Sequence, residues 1–196
     1  MLTFAAAVFF LIITPGPGVL SAAGVGSGFG YRPGTRYVAG LFVGNNLVAL
    51  AVVSGIAAIV LSVPGLRTIL LYASAAYLFY LALKIAFSGT RIAFIHAERA
   101  PGFINGIALQ AINPKAYAVN TAFFSGFAFW PSSLMTETLL KLAILNAIWI
   151  PIHFLWLAAG VTVHRLELGH RAQFAINVVM AISMLAVVAL AALAPK

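Results

Sequence analysis

Long apolar runs, cut by short polar punctuation, make up almost the whole chain. The first covers residues 2–28, is interrupted at Thr14-Pro15-Gly16-Pro17-Gly18, and is followed by a turn at Gly30-Tyr31-Arg32-Pro33-Gly34. The second covers 37–63 and stops at Pro64-Gly65, a strong breaker. The third takes 68–87, with Lys84 near its end, and a polar connector over 88–102 carries Arg91, His96, Glu98 and Arg99. The fourth spans 103–130 and is interrupted at Asn113-Pro114-Lys115; the fifth spans 138–163 with Pro151 inside; the sixth spans 172–194. No charged residue occurs from Met1 to Tyr31 or from Tyr37 to Leu66. Each of those stretches makes roughly 45 Å of helix, against a hydrocarbon core of roughly 30 Å. The pattern predicts an all-α integral membrane protein, one transmembrane domain over 1–196 with six transmembrane helices.

An internal repeat organises these runs. Aligning Pro15 with Pro114 places Phe4 on Phe103 and Thr14 on Asn113, and one further residue of slip places Asn46 on Asn146. Repeat one is then 1–87 and repeat two 103–196, joined by the connector. Each repeat holds three spans, so the second enters the membrane with opposite polarity. Two inverted three-helix repeats, each opening with an interrupted helix, are a pattern of secondary transporters.

Neither break is a loop between spans, because the pieces on either side are too short to cross alone. Each break therefore lies inside one crossing helix, near mid-membrane. Pro15, Pro17 and Pro114 lack an N–H, so the carbonyls of Leu11, Ile13 and Gln110 lose their helical donors. Thr14 and Asn113 are each placed to cap a new half-helix that starts with proline. Lipid satisfies none of these groups, so the breaks must face protein or a polar cavity. Half-helix N-termini attract carboxylates and freed carbonyls attract ammonium groups, a combination suited to a zwitterion. A packing kink explains the prolines equally well, and the pattern alone does not separate the two.

Composition narrows the chemistry. The chain is 63% hydrophobic and 7% charged, with a mean hydropathy of +1.09. It has no cysteine, and its only acids are Glu98, Glu137 and Glu167. Disulfide frameworks and thiolate metal sites are excluded, His164 and His170 are too few to hold a metal, and no cofactor is expected. The net charge of +8 comes from isolated Lys and Arg, not from a basic tract, so nucleic acid is not an expected partner. One set of connections holds Arg32, Arg36, Lys84, Arg91, Arg99, Arg165 and Arg171; the other holds Arg67, Lys141 and Lys196. By the positive-inside rule the richer side is cytoplasmic and both termini face outward.

Lys115 reads as the one cation deep inside a span, where a charge is costly and usually functional. His153, two residues after Pro151, is the one histidine well inside a span and a candidate proton carrier; a helix-packing histidine is the alternative. Asn45, Asn46, Asn120, Asn146 and Asn177 suit bridges between helices, and some of them a pathway. The candidate substrate site is Thr14, Pro15, Gly16, Pro17, Asn45, Asn46, Asn113, Pro114 and Lys115, with His153 for proton coupling.

Together, Thr14-Pro15-Gly16-Pro17, Gly30-x-Arg32-x-Gly34, Gly40 and Gly44, then Gly106 and Asn113-Pro114-Lys115-Ala116, resemble the LysE/RhtB family of amino-acid exporters. Ala76-Tyr77-Leu78-x-Tyr80-Leu81-x-Leu83-Lys84 is similar to that family's third span. The chain departs from the family pattern at Gly18, where an asparagine is usual, and at Asn45 and Asn46, where many members carry an aspartate. The resemblance implies export of amino acids or related small metabolites across the bacterial plasma membrane, driven by the proton gradient, with a small-molecule amino-acid substrate and the lipid bilayer as partners. Self-association as a homo-oligomer stays open. An intramembrane enzyme acting on lipid or peptide and a passive channel are the competing readings; the enzyme lacks a convergent acid, base and nucleophile.

Overall fold

The computed structural model describes residues 1–63, 65, 69–70, 72–73, 76–77, 79–81, 83, 100–166, 171–172, 174–176, 178–179 and 182. Lys84, the connector charges Arg91, His96, Glu98 and Arg99, and also Arg67, Glu167, His170, Asn177 and Lys196 lie outside the described residues. The elements are α1 (Leu2–Ile13), α2 (Pro17–Phe29), α3 (Tyr31–Val53), α4 (Ile56–Leu61), α5 (Phe103–Ile112), α6 (Pro114–Ser125) and α7 (Leu134–Arg165). Among the described residues there is no strand, and those from 69 to 83 are helical. Helix α3 and the Leu134–Val163 stretch of α7 are each long and apolar enough to cross a membrane; α1 and α2, bent by 49° at their break, pass the same test together. Large apolar side chains turned outward, including Leu2, Ile104, Leu134 and Leu155, fit a lipid surround. The protein is an integral membrane protein built of helices.

Local chemistry explains the boundaries. Helix α1 stops where the Thr14 hydroxyl turns back and donates to the Phe10 carbonyl at 2.6 Å. Thr14 therefore does not cap the following half-helix: the cap position of α2 is Gly16, which offers no side chain. Asn113 does cap α6, its Oδ1 accepting from the Lys115 N–H at 3.1 Å, with Pro114 at the first helical position. The second span starts at Tyr31, six residues before the apolar run. Gly30, at φ 80°, turns the chain, and Pro33 is tolerated in a first turn whose N–H groups need no helical acceptor. That span then breaks at Ser54-Gly55, where Gly55 has φ 78°, before α4. Helix α7 likewise starts early, because Ser133 accepts from the Thr136 N–H.

Two close crossings organise the packing: α2 against α7, and α3 against α5. Both depend on missing side chains. A Cβ on Gly106 of α5 would collide with the backbone of Tyr37, Gly40 and Leu41 in α3; one on Gly160 of α7 would collide with the backbone of Ala23 in α2. Small residues let helix backbones touch, the main source of close packing where lipid removes the hydrophobic drive. One apolar core lies between these four helices, around Val25, Leu41, Leu109, Trp149 and Leu157. A second gathers Phe4 and Val8 of α1, Phe123 of α6 and Leu145 of α7, with Phe4 meeting Phe123 and Phe127 edge-on at 5.7 and 5.5 Å. A cavity with polar and apolar walls lies against both.

Candidate functional site

The two interrupted helices meet at their breaks. The Lys115 ammonium, on the first turn of α6, donates to the Thr14 carbonyl at 2.8 Å. A methyl group on Gly16 would sit 2.9 Å from that same nitrogen. The lysine thus finds its partner in a carbonyl at the end of α1, and it ties the first break to the second. The second break satisfies its own loose ends. The Tyr117 hydroxyl donates to the Ala111 carbonyl at 2.8 Å, the Asn113 N–H reaches the Gln110 carbonyl at 3.2 Å, and the Asn113 amide donates to Gln110 Oε1 at 3.0 Å. The start of α2 is different. Its first-turn N–H groups have no helical acceptor, and no side chain caps them.

Around this junction lies a cavity of about 40 Å³, room for roughly three waters. Its polar lining includes Thr14, Asn45, Gln110, Asn113, Lys115, Asn120 and His153; Leu11, Ile12, Val19, Val119 and Trp149 supply apolar wall. His153 is buried, its ring stacked on Trp149 at 3.4 Å between centroids and 13° between planes. Its Nδ1 lies 3.0 Å from the Trp149 carbonyl. Asn120 donates to Asn45 Oδ1 at 3.3 Å and to the Ala116 carbonyl at 2.8 Å. That leaves Asn45 Nδ2, a donor, and Asn120 Oδ1, an acceptor, buried without a hydrogen-bond partner. Unpaired buried amide atoms are costly, and these two belong to residues that line the cavity.

Of the candidate site residues, Thr14, Gly16, Asn45, Asn113, Lys115 and His153 line this one cavity, and so do Gly18 and Asn120, which the sequence singled out on other grounds. Pro15, Pro17 and Pro114 are not in the lining; they shape the backbone that forms it. Asn46 also lies apart: it pairs reciprocally with Asn146, at 3.1 and 2.9 Å, as a bridge between α3 and α7. Gln110 and Trp149 were not anticipated as site residues. Trp149 has a sequence signal, four residues before His153 and hence on the same helix face; Gln110 has a fainter one, as the residue whose carbonyl Pro114 releases.

One further lysine sits near the start of α7, at a position the sequence assigns to a connection. Lys141 is buried on α7, paired with Glu137 at 2.7 Å. Glu137 Oε2 also accepts the N–H groups of Trp130 and Phe129 at 2.7 and 3.1 Å, and Lys141 donates to the Phe124 carbonyl at 3.3 Å. The pair staples the end of α6 to the start of α7. Its signal in the sequence was the four-residue Glu–Lys spacing on one helix face.

A break-to-break junction inside a helical membrane protein is transporter architecture, and comparison with known families agrees. The model of the LysE type translocator matches residues 9–194. The chain belongs to that family. A leucine efflux protein of Enterobacter sp. (strain 638) is 30% identical over 64% of this chain and 62% of its own length. A leucine efflux protein of Salmonella typhimurium is 27% identical over 64% of this chain and 61% of its own. An uncharacterized membrane protein of Pseudomonas aeruginosa is 31% identical over 64% and 62%. The matched stretch thus spans under two thirds of each of these relatives. No solved structure matches the translocator.

Proposed function

We propose that this LysE type translocator is a secondary transporter, not an enzyme, and that it exports neutral amino acids across the bacterial plasma membrane in exchange for protons. The observation that carries the reading is the junction of the two breaks, with the Lys115 ammonium and the uncapped start of α2 on one cavity. Cation and helix N-terminus together favour a carboxylate. The apolar wall of Leu11, Ile12, Val19 and Val119 suits an uncharged side chain. The relatives named for leucine efflux make leucine the first cargo to test. Among the described residues no carboxylate lines the cavity, which leaves His153 as its candidate for the coupling proton.

The architecture that goes with this function is two inverted three-helix repeats, six spans in all, with both termini outside. The reciprocal Asn46–Asn146 pair supports it. Residues that are equivalent under a two-fold operation and touch each other must lie on its axis and exchange identical bonds, as these two amides do.

Counterflow in proteoliposomes tests the function. Vesicles loaded with unlabelled leucine should accumulate labelled leucine, and an imposed proton gradient should speed net efflux. A wild-type protein that moves no amino acid in a twenty-amino-acid screen would refute export; a rate indifferent to the gradient would reduce it to facilitation.

A further inference from the structure

Glycine at position 18 opens one specific atom to the cavity. A Cβ there would lie 3.2 Å from His153 Nε2 and 3.6 Å from Gln110 Nε2. The imidazole itself is fixed: it stacks on Trp149, and Nδ1 is held 3.0 Å from the Trp149 carbonyl. A carbonyl only accepts, so Nδ1 carries the proton of the neutral ring, and Nε2 presents its lone pair to the space beside Gly18. No protein group donates to that lone pair among the described residues. Three carbonyls at the breaks already have donors: Thr14 from Lys115, Gln110 from the Asn113 N–H and Ala111 from Tyr117. Among the described side chains that line the cavity, His153 Nε2 is an acceptor open to an ammonium group beside Gly18. The strip Gly16-Pro17-Gly18 therefore has the Lys115 ammonium against its first residue and a lone pair against its third. That is a cation for a carboxylate and an acceptor for an amine, two residues apart.

We propose that Gly18 and His153 form the ammonium-receiving end of the site, and that cargo and proton compete for the single Nε2 lone pair. The inference rests on the amino-acid export reading and supplies its coupling rule. A proton on Nε2 turns an acceptor into a donor, so a primary ammonium cannot hydrogen-bond there until the proton has left for water. One proton entering on Nε2 and one cargo molecule leaving is then an exchange enforced by one atom, and no cargo bond is broken. Among the described residues, Lys115 of α6 is the other titratable group in the lining of the cavity. Helices α1, α2, α3 and α5 bring Thr14, Gly18, Asn45 and Gln110 to it, none of which titrates, and Tyr37 of α3 lies outside its lining. On α7 itself, Glu137 and Lys141 pair with each other roughly 18 Å or more along the helix.

Equilibrium binding of labelled leucine, or of the best amino acid from the counterflow screen, to purified full-length protein between about pH 5 and pH 8 tests this. Affinity should weaken by about tenfold per pH unit on the acid side of the histidine titration, the signature of one competing proton. His153→Gln, which keeps an acceptor but cannot titrate, should bind more weakly with a flat profile. Gly18→Ala should lower affinity by about tenfold to a hundredfold at the alkaline end, the worth of a charge-assisted bond. Leucine with its amine acetylated needs no variant and should fail to displace the label from wild-type protein. A His153→Gln protein with the wild-type pH profile, or effective displacement by acetylated leucine, would overturn the competition while leaving export standing. Absence of counterflow by wild-type protein would overturn export and this inference with it.

Discussion

Replacing Gly106 by alanine measures how much the α3–α5 crossing supports the site. The added carbon would lie 2.5 Å from the Leu41 backbone nitrogen and 2.8 Å from the Gly40 carbonyl carbon. Comfortable separations are about 3.5 Å, so the helices must part by roughly 1 Å. The obstacle is backbone, and no rotamer change relieves it. Overpacking of this kind costs about 1–3 kcal/mol, or a fall of about 2–12 °C in the unfolding midpoint at roughly 2–4 °C per kcal/mol. Helix α5 carries Gln110 in its last turn and leads directly into Asn113 and Lys115, so the displacement reaches the cavity. Gly18→Ala is the milder comparison: its nearest neighbour is a side-chain atom at 3.2 Å, against backbone at 2.5 Å for Gly106. Tryptophan fluorescence during heating in detergent, with counterflow on the same preparations, reads both effects. Gly106→Ala should lose stability and transport, and Gly18→Ala should keep its midpoint. Equal midpoints for wild type and Gly106→Ala, or an equal loss in Gly18→Ala, would refute the packing argument.

Three further outcomes are expected. Lys115→Ala should reach the membrane at wild-type level but lose export, with Lys115→Arg retaining part of it, because the cation ties Thr14 to the second break; full transport by Lys115→Ala would remove it from the site. Asn46→Ala and Asn146→Ala should each destabilise, and the double variant should cost less than their sum by about 0.6–1.7 kcal/mol, since one reciprocal pair is lost only once; strict additivity in a thermodynamic cycle would argue against a coupled pair. A cysteine introduced beside Lys196 should react with an impermeant reagent from outside intact cells, as the Lys/Arg asymmetry requires; reaction only after permeabilisation would invert the topology.

The interruptions were legible because proline leaves a mark. Pro15, Pro17 and Pro114 each remove a helical hydrogen bond, and the breaks fall where they stand, whereas the lone Pro151 leaves α7 continuous. What terminates each half-helix was less so. Thr14 is as good a cap as Asn113 by residue type, yet its hydroxyl turns back to Phe10, and α2 starts two residues beyond Pro15. Helix starts were misjudged where polar residues occupy a first turn: Tyr31–Arg36 and Leu134–Glu137 read as loops and are helical. The site's contents divide in the same way. Lys115 and His153 stand out because charge and imidazole are rare inside apolar runs. Asn45 and Asn46 look interchangeable on paper, but adjacent helix positions point about 100° apart, which sends one to the cavity and the other to Asn146. The Glu137–Lys141 pair was hidden because a lysine near a span end looks like a surface anchor until its partner is placed.

The glycine crossings described above join unlike halves of the chain. Helix α3 belongs to the N-terminal half and α5 to the C-terminal half, and the same is true of α2 and α7. Interdigitated backbones do not slide, since any shift along either seam drives a peptide unit into its neighbour. A transport cycle that rocked one half of the sequence bodily against the other would have to shear both seams at once. The easier division runs across the gene order: α3 with α5 as one moving body, α2 with α7 as another, and the bridge between Thr14 and Lys115 near the line where the two bodies part.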